Sequence, residues 1–199
     1  MKRTAILIAA LAGLFLTVLA HAQAPGQGGY LGIGYGSVWS KGGSLLGMIN
    51  EDTVAGGRVF AGYMTDDYWG MELGLHSLGK YEVFEIGTGL KTDEFKTTAV
   101  SVAGVLSTPV GAGFYFNGRI GLAFTNVEYD CLQLCGGTFV DTKKRGTSGM
   151  LGIGMGVRLA PGLSVRIDFD HFGSVHHAIG TTEYKDSYDI FSANLLLQF

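Results

Sequence analysis

Between Ser148 and Leu159 the chain alternates between bulky apolar residues and bare ones. Leu151, Ile153, Met155, Val157 and Leu159 fall on one parity, and Gly152, Gly154, Gly156 and Arg158 on the other. Side chains of a strand point alternately to opposite faces, so this stretch is a strand with one greasy face and one nearly empty face. The empty face has to lie where there is no room, and the greasy face where water is absent.

The same pattern recurs along the chain. Gly29–Gly36 sets Leu31, Ile33 and Tyr35 against Gly32, Gly34 and Gly36. Val54–Met64 sets Val59, Ala61 and Tyr63 against Arg58, Phe60 and Gly62. From Trp69 to His76, Trp69, Met71, Leu73 and Leu75 alternate with Gly70, Glu72, Gly74 and His76. A fourth strand covers about Phe95 to Ser107, with Val100, Val102 and Leu106 opposed to Ser101 and Ala103. A fifth sets Phe114, Phe116, Ile120, Leu122 and Phe124 against Tyr115, Asn117, Arg119, Gly121 and Ala123. The seventh sets Leu163, Val165, Ile167 and Phe169 against Ser164, Arg166, Asp168 and Asp170. The last, Asp189–Phe199, carries Phe191, Ala193, Leu195, Leu197 and Phe199 on one parity.

The connections alternate in length. Thr65-Asp66-Asp67, Pro109-Val110-Gly111 and Ala160-Pro161-Gly162 read as short turns. Polar stretches after Gly36 and at residues 79–94, 128–147 and 171–186 read as long loops. An even number of strands, each about ten residues long and joined by short turns and long loops in turn, is the pattern of an outer-membrane barrel. The expected fold is all-β: an eight-stranded antiparallel up-and-down transmembrane β-barrel over residues 23–199. A soluble eight-stranded barrel such as a lipocalin buries its apolar residues inside. A small barrel has no room inside for the large parity, so the glycines and charges face the lumen and the apolar face looks at lipid. Glycine at 33 residues and proline at 3 suit crowded strands.

The first residues set the compartment. Met1-Lys2-Arg3, an apolar run from Ala5 to Ala20, and Ala20-His21-Ala22 make residues 1–22 a secretory signal peptide; a membrane-anchor helix is the alternative. Export exposes Cys131 and Cys135 to an oxidising compartment, where a small-loop disulfide or two free thiols are both open. Two thiols are too few for a structural metal site. A net charge of −3 with 16% charged residues points away from a nucleic-acid partner.

Gly62-Tyr63-Met64-Thr65-Asp66-Asp67-Tyr68-Trp69-Gly70-Met71-Glu72-Leu73-Gly74 resembles the second strand, turn and third strand of the OmpA-like small outer-membrane barrel family, including its lumenal glutamate. Gly118-Arg119-Ile120-Gly121 is similar to the family's fifth strand, and Val165-Arg166-Ile167-Asp168-Phe169 to its seventh. The resemblance covers almost the whole mature chain. OmpA itself continues into a periplasmic peptidoglycan-binding domain, whereas this sequence ends at Phe199, so peptidoglycan anchoring is not expected. The family's interior lysine on strand four falls on Val105, and an interior acid on strand six falls on Arg158, which departs from its gate-like ion-pair exchange. The resemblance also implies that a terminal strand carrying Phe191, Leu195, Leu197 and Phe199 is read by the barrel-assembly machinery, with periplasmic chaperones as further partners during insertion.

The expected lumen network comprises Arg58, Glu72, Arg119, Arg158, Arg166, Asp168 and Asp170, with Glu72 and Arg166 paired. Charges in a narrow lumen are costly unless paired, so the network is either a plug that locks the barrel or a gate whose pairs exchange. Lys143, Lys144 and Arg145 lie where the longest loop re-enters the sheet; they are either a solvated rim or a contact for lipopolysaccharide phosphates. His171, Ser174, His176, His177 and Glu183 could be read as the serine, base and acid of a barrel hydrolase, or as a solvated loop. Adjacent His176 and His177 are poor metal geometry on a strand. Trp69, Tyr63, Phe114, Phe191 and Phe199 read as an aromatic girdle toward the periplasmic strand ends.

The expected function is therefore that of a non-enzymatic integral outer-membrane protein of a Gram-negative bacterium. It would serve envelope integrity and surface contact through four extracellular loops, as a monomer among outer-membrane lipids and lipopolysaccharide. Both termini would be periplasmic, and no cofactor, metal or catalytic residue is expected. A narrow or gated pore and a lipopolysaccharide-modifying enzyme are the alternatives.

Overall fold

A computed structural model of the chain describes residues 27–42, 53–84, 91–131, 141–179 and 182–199. The expected signal peptide lies outside them. Eight strands follow in order: β1 (Gly28–Gly42), β2 (Thr53–Met64), β3 (Trp69–Phe84), β4 (Lys91–Gly111), β5 (Phe114–Cys131), β6 (Asp141–Ala160), β7 (Leu163–Ile179) and β8 (Thr182–Gln198). Each pairs antiparallel with the next, and β8 pairs with β1 to close the barrel. Closure pairs every edge, which an isolated sheet cannot do. At the seam Leu31 lies opposite Leu197, Ile33 opposite Leu195 and Tyr35 opposite Ala193, so the large apolar parities of the first and last strands share one face.

That face is the outside. Ile120 is 69% exposed and Ile153 67%, while Arg119 between Gly118 and Ile120 is 3% exposed. The outward residues form an apolar belt around the closed sheet, far larger than the few hundred Å² a water-soluble monomer leaves uncovered. The glycines are inside because neighbours occupy the space a side chain would need. A Cβ on Gly32 would meet the Phe60 ring, and one on Gly154 would meet Asp168 Oδ1.

Three tight turns join β2 to β3, β4 to β5 and β6 to β7; this end of the barrel is called the turn end below. Asp66 Oδ1 accepts the Tyr68 and Trp69 N–H groups at 2.8 and 2.7 Å, which fixes the first turn. The second turn is Ala112-Gly113, both at positive φ (49° and 82°), two residues later than the expected Pro109-Val110-Gly111. Pro109 stays in β4 opposite Tyr115, and the ladder absorbs Val110 as an irregularity before Gly111.

The strands run 12 to 21 residues, well beyond the expected ten. Much of what reads as polar loop at 79–94, 128–147 and 171–186 continues the sheet. The outward parity turns polar there, but the inward parity stays apolar through Leu78, Tyr81, Val127, Phe172 and Tyr188. An inner core of that kind holds the ladder together without any greasy outer face. On β3 the inward parity switches at a bulge where Gly79 takes φ +97°, so that Leu78 and Tyr81 are both buried.

Candidate functional site

The barrel interior is stacked in three layers. The middle layer holds Arg58 from β2, Glu72 from β3, Arg119 from β5, and Arg166, Asp168 and Asp170 from β7, each no more than 3% exposed. Arg58 Nη2 donates to Glu72 Oε1 at 2.6 Å and its Nη1 to Asp170 Oδ2 at 2.7 Å. Arg166 Nη2 donates to Glu72 Oε2 at 2.9 Å and its Nε to Asp168 Oδ2 at 2.8 Å. Arg119 Nη1 donates to Asp168 Oδ2 at 2.9 Å, and its Nη2 lies 2.9 Å from Asp170 Oδ1. Three guanidiniums thus face three carboxylates, and the layer is neutral as a set. Charges this deep persist because each has more than one opposite partner.

Neutral residues complete the layer. Tyr30 donates its hydroxyl to Glu72 Oε2 at 3.0 Å, and Asn194 Nδ2 donates to Asp168 Oδ2 at 3.0 Å. The Phe60 ring lies under two of the guanidiniums, with Arg58 and Arg166 Cζ at 4.3 and 4.7 Å from its centroid. A desolvated cation over an aromatic face gains about 2 kcal/mol. Sequence reading missed Tyr30, Asn194 and this role of Phe60. Their shared inward parity was visible, but parity alone does not say which inward side chains meet across a lumen.

Apolar side chains pack on either side of this layer, and a cavity of about 480 Å³ at the turn end reaches past them to Asn117 and Arg166. Toward the turn end Tyr30, Phe60 and Leu196 pack together, with Met64 against them. Away from it Val38, Leu78, Met150, Phe172 and Ile190 form part of a larger buried cluster. His76 lies between that cluster and the charges: its Nε2 is 2.8 Å from Ser101 Oγ, and its ring meets Phe172 edge-on at 5.0 Å. Asp168 Oδ1, Asn194 Oδ1 and both amide atoms of Asn117 are buried without a hydrogen-bond partner among the described residues.

Arg158 departs from the expected network. It keeps the inward parity but sits at the turn end, exposed and outside every ion pair of the layer. Its strand neighbours explain this: β6 reaches the turn within two residues, at Ala160, and Arg158 pairs with Ser164 at the mouth rather than with an acid.

The remaining candidates lie on the outer wall and the rims. Phe191, Leu195 and Leu197 are exposed on the outer face, and Phe199 follows the end of β8 with its N–H donated to Gly29 O at 2.9 Å. Trp69, Tyr63 and Phe114 sit near the turn end, whereas Phe191 does not: it pairs with Phe169 and Ser37, far up β8. Arg145 is exposed and pairs with Asn126. Lys143 and Lys144 pair with Glu128 and Val127 in the backbone ladder, and their side chains lie outside the described residues. Cys131 ends β5; its side chain and the whole of Cys135 lie outside the described residues, and so does any bridge between them. His171 Nδ1 lies 2.6 Å from Asp189 Oδ1 on the outer face, and no hydrogen bond joins Ser174 to either among the described residues. The side chains of His176, His177 and Glu183 are not among those described.

A family model for the outer membrane protein beta-barrel domain matches residues 8–199. No curated protein matches the sequence. Among solved structures, Neisserial surface protein A superposes with a TM-score of 0.60 at 14% identity, over 86% of this chain and 97% of its own. The outer membrane protein OprG from Pseudomonas aeruginosa gives 0.52 at 13% identity, over 85% and 93%. The outer membrane protein AlkL gives 0.52 at 12% identity, over 90% and 95%. At these identities the likeness is one of fold.

Proposed function

Because the chain belongs to the outer membrane protein β-barrel domain family, we propose that it works as a closed, non-enzymatic barrel of the outer membrane whose active surfaces are its outer wall and its far rim. The turn end, with both ends of the mature chain, faces the periplasm, and the long strand extensions stand on the outside of the cell. Residues 1–22 direct export and are removed. Its role is envelope integrity and surface contact.

The stacked lumen carries this reading. A neutral, multiply paired charged layer fills the middle of the lumen, and the buried apolar cluster of Val38, Leu78, Met150, Phe172 and Ile190 fills it on the side away from the turn end. A conducting lumen needs a continuous polar path, and apolar constrictions stop ions by excluding water. A hydrolase needs a serine within hydrogen-bond reach of its base; among the described residues no hydrogen bond joins Ser174 to His171, although His171 has an acid, Asp189, on its Nδ1.

Planar lipid-bilayer recording of the purified barrel tests the closed state. The expected record has no unitary current steps, and regular steps would overturn the reading in favour of a pore. Mass spectrometry of lipid A from cells with and without the protein tests the absence of chemistry: identical lipid A is expected, and a loss or gain of one acyl chain would identify an enzyme.

A further inference from the structure

The cavity at the turn end has a volume of about 480 Å³ and enters the barrel by its mouth. Tyr30, Met64, Val105 and Leu196 give it apolar walls, and Asn117 and Arg166 lie at its floor. Beyond them the charged layer and the cluster around Phe172 fill the lumen, so the cavity is a dead end. A concave, mostly apolar space of about 300–1,000 Å³ on which a few polar groups converge is the usual form of a small-molecule site.

At the floor the two polar residues differ. Arg166 is already matched, by Glu72 at 2.9 Å and Asp168 at 2.8 Å. Asn117 is 6% exposed, and neither its Nδ2 nor its Oδ1 has a hydrogen-bond partner among the described residues. A buried amide left in that state is costly. One donor and one acceptor therefore stand open beside the cavity.

The mouth carries charges of both signs. Arg158 is exposed, keeps the inward parity and makes no ion pair among the described residues. Asp67, in the turn between β2 and β3, is exposed and likewise makes none. Arg158 lies beside the β6–β7 turn, half-way round the closed ring from the β2–β3 turn, so the cation and the acid flank the mouth from opposite sides. Phe199, with the terminal carboxylate, lines the same rim at the seam of β8 and β1.

We propose that this cavity binds a short zwitterionic peptide, about two or three residues long. Its carboxylate sits on Arg158 and its ammonium on the Asp67 side of the mouth. A peptide group meets the Asn117 amide, and an apolar side chain packs against Tyr30, Met64 and Leu196. Each of these groups answers one that the protein leaves open. A simple anion would meet Arg158 but also Asp67 and the Phe199 carboxylate, and a simple cation would meet Arg158. A purely apolar molecule would leave Asn117 unsatisfied, whereas a peptide group offers both the donor and the acceptor that an Asn side chain needs. The site is a third working surface beside the outer wall and the far rim. Binding does not depend on which way the barrel faces; the orientation given above decides only that the peptide comes from the periplasm.

The barrel in nanodiscs is titrated with Ala-Leu-Ala, with its N-acetyl form and with its C-terminal amide, and the side-chain amide of Asn117 is followed by NMR. The free tripeptide is expected to shift that resonance saturably. Blocking either end should weaken binding about tenfold, the loss of one charge-assisted contact. Arg158→Gln should bind the free and C-amidated peptides equally, and Asp67→Asn the free and N-acetylated ones equally. Both side chains are exposed, so heat-modifiable gel migration stays normal in the two variants. An Asn117 amide that does not respond, blocked peptides that bind as tightly as the free one, or an Arg158→Gln barrel that still prefers the free carboxylate overturns the site. Current recordings are expected to stay silent with or without peptide, so failure of the site and failure of the closed-barrel reading appear in different measurements.

Discussion

Phe199 donates its backbone N–H to the carbonyl of Gly29 at 2.9 Å, so the carboxy-terminal residue is hydrogen-bonded to the start of the first strand. Its ring lies over Gly29, where a Cβ would come within 2.5 Å of Phe199 Cε2. The last residue therefore finishes the seam between β8 and β1. Deleting Phe199 removes this bond and the ring, while Phe199→Ala removes the ring alone. The deletion is expected to lower the heat-modifiable fraction recovered in outer membranes more than Phe199→Ala does. Equal recovery of all three proteins would show that the seam closes without it.

The lumen leaves no space for added atoms beside its charges. A Cβ on Gly154 would meet Asp168 Oδ1 and come within 2.7 Å of Asn117 Nδ2 and 2.9 Å of Ile167 O, whereas one on Gly118 meets nothing within 4 Å. Gly154→Val is expected to cost about 3 kcal/mol or to prevent folding. Gly118→Val, on the lipid face, should stay within about 0.5 kcal/mol of wild type. Urea unfolding in lipid vesicles, followed by tryptophan fluorescence, measures both.

Two arginines of one parity should behave differently. Arg119 is buried on Asp168 and Asp170, and Arg158 is exposed at the turn end. Arg119→Gln leaves buried carboxylates short of a partner and should cost about 3–5 kcal/mol. Arg158→Gln should change stability by no more than about 0.5 kcal/mol. A large loss from Arg158→Gln would mean that it supports the layer after all.

The contrast also shows what was legible in the sequence. Period-two alternation shows the strands, and the glycine parity shows which face is inside, because only one face can be crowded. That reasoning placed Arg58, Glu72, Arg119, Arg166, Asp168 and Asp170 inward, where the structure has them. It could not separate Arg158 from them, since parity gives a face and not a height. The ends of the strands are hidden in the sequence for a related reason. Outward residues such as Lys80, Lys96 and Asn126 are polar, so the stretch looks like a loop, yet inward Leu78, Val127 and Phe172 carry the sheet onward. Lys80 and Lys96 are 16 residues apart in sequence, and only the ladder makes them neighbours.

Glu72 tests whether the charged layer seals the barrel or merely stabilises it. Its carboxylate takes Arg58 on one oxygen and Arg166 and Tyr30 on the other. Glu72→Ala leaves two buried guanidiniums short of a counterion, a loss expected to cost about 3–5 kcal/mol. The double variant Glu72→Ala, Arg166→Ala should lose less than the sum of the two single variants, because the second change removes a charge that the first has stranded. The lumen should nevertheless stay silent in planar bilayers. Phe172, Met150 and the apolar side chains packed with them still fill it on the far side. Current steps in Glu72→Ala that are absent in wild type would make the ion pairs themselves the barrier, and the apolar layers would then be too loose to exclude water.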